Sequence, residues 1–324
     1  MDPLERLYAG LADADEQQLR RAARSTLASD VAWSACHPVN DLSGIDAVVD
    51  SFLLPLSAAM PDLERRPFIR IPGEYRGRQW VAGTGYLVGT FHRPLFGIPA
   101  TGECVYLRYS ELVQLKAGRI GRCYLFTDFL DVMRQAGVYP LRPALGHDSL
   151  MMPPQTLDGL CTQDRDPAHS AGTVQLTMEM LDCLRKYDGR TLESMDLENY
   201  WHPDFMWYGP AGVGTTRGIS GFRRQHQGPF LHSFPDRDVD HHACTVACGD
   251  YAATGGWPHM HATHSGGGWL GLPPSGKHLG LRVMDIWRRE GSLLKENWVA
   301  IDVPHVLSQM GLDVFAEMRS IISR

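Results

Sequence analysis

Slid along itself, the sequence meets its own second half at a constant offset of 174 residues, and this repeat constrains the fold more than any other feature. Asp30 and Trp33 meet Asp204 and Trp207, Gly44 and Ile45 meet Gly218 and Ile219, and Pro61 and Asp62 meet Pro235 and Asp236. From Gly97 to Val138 the same offset runs without a gap onto Gly271 to Leu312, with 9 identities in 42 positions. Two well-separated blocks in one register argue against a chance alignment of glycines and prolines. The chain of 324 residues therefore reads as two units, residues 1–140 and 173–324, joined by a linker over 141–172. The stretch from Tyr139 to Gly172 has no counterpart in the repeat. It carries Pro140, Pro143, Pro153, Pro154 and Pro167 among polar residues, and is long enough to cross both units and leave them docked.

Each unit has the same coarse order of helices first and strands after. Val174, Met178, Leu181 and Leu184 recur at helical spacing in the second, as Leu4, Leu7 and Leu11 do in the first. A helix is expected from Gly218 to His232, interrupted near Gly228-Pro229, with a counterpart from Gly44 that ends near Pro55. Beyond it the pattern alternates with period two, and Leu279–Trp287 and Leu294–Asp302 form a hairpin about Glu290-Gly291. The expected class is α+β: two tandem cone-shaped α+β barrel domains, each with N-terminal helices packed in a curved antiparallel sheet.

A net charge of −6, with 44% hydrophobic and 21% charged residues, gives no electrostatic reason to expect nucleic acid or anionic membrane as partner. A small hydrophobic molecule is the expected ligand. The seven cysteines (36, 104, 123, 161, 183, 244 and 248) are odd in number and scattered, which points to a reducing compartment and a cytoplasmic location. The start, with Asp2, Glu5 and Arg6, lacks the pattern of a secretory leader.

Four stretches carry a resemblance to a known family. His202 to Arg223, Thr263 to Gly276, Met284-Asp-Ile-Trp-Arg and Glu296-Asn-Trp-Val-Ala-Ile-Asp resemble, in order, the motifs of SnoaL-like polyketide cyclases. The likeness covers about Val174 to Val314. It is weaker in the first unit, where Gly89-Thr-Phe-His, Gly97-Ile-Pro-Ala-Thr-Gly and Asp128 carry it. The resemblance implies the nuclear-transport-factor-2-like cone shared with ketosteroid isomerase and scytalone dehydratase. It also implies a cofactor-independent enzyme that closes a ring by intramolecular aldol chemistry, or by related lyase or isomerase chemistry, on a hydrophobic substrate, polycyclic ones included. Such cones also serve as non-catalytic binding modules, and as hydrolases or dehydratases, so these readings stay open beside it. Two units packed through their sheets would make the chain an intrachain pseudo-dimer, with a homo-oligomer a further expectation.

Such chemistry needs a carboxylate whose basicity is raised by an apolar pocket. Alternation puts Glu296, Trp298, Ala300 and Asp302 on one strand face, and Asn297, Val299 and Ile301 on the other. Asp302, repeated as Asp128, is the expected base and resembles the family's last-strand aspartate; its competing reading is a cap on the following helix. His264 and His226 are the other catalytic candidates, His226 because it stands where the first unit has Phe52. Trp207, Tyr208, His261, Asp285 and Trp298 are expected to contact substrate, and Asp128, Trp33 and Tyr124 to line a second pocket. The groups His259-Met-His-Ala-Thr-His264 and His241-His-Ala-Cys-Thr-Val-Ala-Cys248 lack the full spacing of a zinc site, so no metal is expected, and the resemblance implies no organic cofactor.

Overall fold

The computed structural model describes residues 3–12, 15–148, 150–162, 165–239 and 242–323. His241, named above, lies outside them. The first unit runs α1 (Pro3–Ala9), α2 (Glu16–Thr26), β1 (Leu27–Ala35), β2 (Asn40–Ser43), α3 (Ile45–Val48), a π-helical turn (Val49–Leu53) and α4 (Leu54–Ala59). It continues through β3 (Glu64–Tyr75), β4 (Arg78–Thr90), β5 (Cys104–Lys116), β6 (Arg119–Thr127) and α5 (Phe129–Gln135). The second runs α6 (Pro167–Leu184), two short 3-10 turns, β7 (Trp201–Tyr208), β8 (Thr216–Arg217), α7 (Gly218–Phe222), a π-helical turn (Arg223–Gln227) and α8 (Gly228–Ser233). Then follow β9 (Asp238–Val239), β10 (Cys244–Cys248), β11 (Tyr251–Thr263), β12 (His278–Glu290), β13 (Leu293–Ile301), α9 (Val303–Met310) and α10 (Val314–Ile322).

The two sheets have the same strand order, β2-β1-β6-β5-β4-β3 and β8-β7-β13-β12-β11-β10, with β9 also against β11. Neither is purely antiparallel, as the sequence had suggested. β1 runs parallel to β6 with Trp33 opposite Cys123, and β7 parallel to β13 with Trp207 opposite Asn297, the same register 174 residues on. First and last strands are joined by the whole intervening chain, so the hairpin geometry that imposes antiparallel pairing does not act on them.

Proline does not end the long helix either. Pro55 and Pro229 each sit just after the π-helical turn, and the helix continues to Ala59 and Ser233. Proline lacks an N–H and clashes with the carbonyl four residues back; widening the preceding turn makes room for it. The linker is shorter than its sequence suggests, because α6 starts at Pro167, capped by the Asp166 side chain accepting from Ala168 N.

The units pack through the outer faces of their sheets by contacts that repeat the offset. The Asp128 carboxylate accepts from Ala211 N at 2.8 Å, and Asp302 accepts from His37 N at 3.1 Å; Ala211 is itself 174 residues beyond His37. Arg108 donates to the carbonyls of Tyr208, Gly209 and Val299, while its counterpart Arg282 donates to Asn40 Oδ1 and Asp302. Tyr124 stacks on Trp257 with ring centroids 6.1 Å apart, and Arg282 lies over the same indole. A Cβ on Gly255 would fall 2.8 Å from Leu112 Cδ1, so glycine permits the close approach there. The linker contacts both units, exchanging backbone hydrogen bonds with Arg70 and accepting from Trp298 Nε1 at Met152 O.

Candidate active site

The hairpin of β12 and β13 sets the geometry of the second cone. Val283 pairs with Ile301, Asp285 with Val299 and Trp287 with Asn297, and all six side chains line one cavity of about 360 Å³. α6 closes one side with Met178, Leu181 and Leu184, and the helix around the π-helical turn contributes Phe222, His226, Gln227 and Phe230. Trp201 and Trp207 come from β7. Of the predicted helical stripe, Met178, Leu181 and Leu184 thus face the ligand space, as does the buried Met180, while Thr173, Thr177 and Cys183 are buried away from it.

At this wall stands Asp285. Its carboxylate accepts one hydrogen bond, from Asn297 Nδ2 at 3.3 Å, and Asn297 is itself held by donating to Ile286 O at 3.1 Å. Burial pushes the Asp285 carboxyl up to about 7, a rise that Asn297 opposes. A carboxylate in this state exchanges a proton near neutral pH, as a general base must.

His226 is in the cavity as expected, its ring stacked on Trp207 at 4.0 Å. Burial, with the Arg237 guanidinium nearby, lowers the imidazole to about 3, so it is neutral, and its Nδ1 is buried without a hydrogen-bond partner among the described residues. His242 Nδ1 and His259 Nε2, 3.0 Å apart, belong to the same wall.

Several expected site residues lie elsewhere. Asp302 is on the outer face and is fully buried between the units. It caps α9 by accepting from His305 N at 3.2 Å and pairs with Arg282 at 2.9 Å. Burial raises this carboxyl against the pull of Arg282, but it does not reach the cavity. Trp298 and Tyr208 stack on each other at 5.4 Å on that outer face. His264 is buried in the loop after β11, where its Nδ1 accepts from Ser275 N at 3.2 Å and its ring packs on Phe234. His261 stacks on His278, away from the cavity. The strand alternation was right; the face chosen was not, because the first unit buries the outer face and leaves no polar side to mark it.

In the first unit the corresponding space is filled. Leu4, Leu7, Tyr8 and Leu11 are buried, Trp33 packs by Phe52, and Arg65 forms an ion pair with Glu111, the counterpart of Asp285. The Arg65 guanidinium also faces the rings of Tyr8 and Tyr109. Of the expected second pocket, Asp128 caps α5 at the interface, where burial and Asp131 raise it to about 6, and Tyr124 lies on the outer face. Trp33 alone points inward, into packed side chains.

Trp287, which period two sets on the strand face of Asp285, is in the cavity wall; Asn297, Gln227 and Arg237 complete it but were not singled out from the sequence. For Arg237 the signal existed, since the offset sets this charge opposite the buried Leu63. Among the described residues no group of three or more His, Cys, Asp or Glu is arranged to hold a metal ion. Nor, among the described residues, is any helix long and apolar enough to cross a membrane.

Residues 180–310, which carry this cavity, match the family model of SnoaL-like polyketide cyclase. The second unit is a SnoaL-like domain. No curated protein matches the chain. Solved structures that align with it include TsrD from Streptomyces laurentii (26% identity, 44% of this chain and 96% of that one, TM-score 0.35). Others are an NTF2-like protein from Burkholderia xenovorans LB400 (14%, 44% and 98%, 0.34) and a protein of Jannaschia sp. CCS1 provisionally named a SnoaL-like polyketide cyclase (24%, 40% and 86%, 0.34). The SnoaL-like domain thus contains the open cavity, and the filled cone precedes it in the chain.

Proposed function

We propose that the SnoaL-like domain is a cofactor-independent cyclase of the aldol type, with Asp285 as general base. The observation that carries this reading is a carboxylate held near neutrality in an apolar cavity and oriented by a single amide, Asn297. Asp285 takes a proton from a carbon between two carbonyls, and the resulting enolate carbon attacks a second carbonyl carbon of the same molecule. One carbon–carbon bond forms, and the proton held by Asp285 returns to the new alkoxide. The substrate's own carbonyls delocalise the charge, so the protein supplies proton transfer, orientation and exclusion of water. Trp207 and Trp287 offer flat apolar walls to a ring system.

The test is α-proton exchange of 2-acetyl-1-tetralone in D2O, followed by NMR. The wild-type protein is expected to accelerate exchange and Asp285→Asn to lose at least about a hundredfold of that acceleration. Equal exchange by the two proteins contradicts the assignment.

A further inference from the structure

Arg237 is a charged residue of the cavity wall that the base chemistry does not use. It follows Pro235-Asp236 at the end of the turn after α8, and its guanidinium Nη2 donates to Leu184 O at 2.8 Å. Among the described residues no carboxylate makes an ion pair with it, although Asp182 and Asp238 also line the cavity. Leaving a guanidinium in a largely dehydrated place without a counter-ion is costly, and burial lowers its basicity to about 10. The same position in the first unit is Leu63, buried in the cone where Arg65 pairs with Glu111. An apolar side chain is therefore compatible with this corner of the fold, and the charge in the second unit is a departure from it.

Two further observations place an acceptor beside Arg237. His226 lines the same cavity as Arg237 and has a buried Nδ1 with no hydrogen-bond partner among the described residues, and the guanidinium depresses its basicity. Asp285, by contrast, is held by Asn297, and Arg237 by the carbonyl of Leu184, so the base and the cation are anchored to different elements of the cavity wall. A planar guanidinium fork matches a carboxylate in two parallel hydrogen bonds, and a neutral imidazole N–H can add a third.

We propose that the ligand of this cavity is an aromatic or fused-ring carboxylic acid, whose carboxylate docks on Arg237 and His226 while its ring system lies between Trp207 and Trp287. This rests on the reading of the second cone as the active site, and it adds the substrate class. The carboxylate is a handle and takes no part in bond making; its role is to fix which carbon faces Asp285.

The probes are anthracene-2-carboxylic acid and its methyl ester, titrated at pH 6 with tryptophan fluorescence as readout. The wild-type protein is expected to bind the acid at least about tenfold more tightly than the ester. Arg237→Leu, which copies the first unit, should abolish that preference by weakening the acid alone, and Arg237→Lys should keep part of it. Asp285→Asn should retain the full preference while losing proton exchange, so the two claims fail separately. Equal affinity of acid and ester for the wild-type protein, no binding of the acid, or a preference unchanged in Arg237→Leu overturns the proposal.

Discussion

Glu111 and Asp285 stand at the same position of the two sheets, yet Glu111 pairs with Arg65, whereas Asp285 accepts one amide hydrogen bond and has no ion-pair partner among the described residues. The first carboxylate is neutralised by structure, and the second is left to exchange protons with a ligand. From this difference follow distinct expectations for mutation and pH.

Replacing Asp285 by Asn removes the base and keeps the shape. Turnover should fall by about 10²–10⁴-fold while the dissociation constant of a bound ligand changes little. Steady-state kinetics alongside direct binding checks this; a parallel loss of binding contradicts it.

For the pH dependence of activity, the ionised form is the active one. kcat/KM should rise with pH and level off above about 7, and this limb should vanish in Asp285→Asn. The stability profile carries the opposite sign. A carboxyl raised from its ordinary 3.8 to about 7 binds its proton more tightly in the folded chain than in the unfolded one. Its contribution is complete below 3.8 and is lost as pH rises to about 7. Melting temperatures across that window should therefore fall more steeply for the wild type than for Asp285→Asn.

The paired cone should respond as a structural core. Arg65→Met removes the ion-pair partner of the buried Glu111, at a cost of about 3–5 kcal/mol, and adding Glu111→Leu should recover much of it. Denaturant unfolding measures both variants, and proton exchange per folded molecule should be unchanged in the double variant.

At the interface, Asp302→Ala removes a helix cap and leaves Arg282 without its carboxylate. A loss of about 3–5 kcal/mol is expected, with exchange activity of the folded fraction preserved. Loss of activity without loss of stability would return Asp302 to the role its sequence position suggests.

These outcomes trace how far the sequence could be read. The repeat offset, the two tandem units and the hairpin about Glu290-Gly291 follow from spacing and alternation, which are local and are reproduced in the strand registers. Period two also grouped Asp285 with Trp287 and separated Asp302 from Val299. It could not say which group faces inward, because both sheet faces are buried, one by helices and the other by the partner unit. The family resemblance and the recurrence of Asp128 then favoured Asp302. Its recurrence has a different cause, the pair of symmetric caps to Ala211 and His37 across the interface. The filling of the first cone was legible only in part: Phe52 for His226 and Leu63 for Arg237 are visible by offset, but the Arg65–Glu111 pair needs the fold to set β3 and β5 on either side of β4.

The most direct test is a pH titration of the carboxyl carbon of Asp285, observed by ¹³C NMR and assigned by its absence from Asp285→Asn. A midpoint near 7 is the predicted result. A midpoint near 4, the ordinary range of an aspartate in water, would contradict the claim that this carboxylate is held as a base inside the second cone.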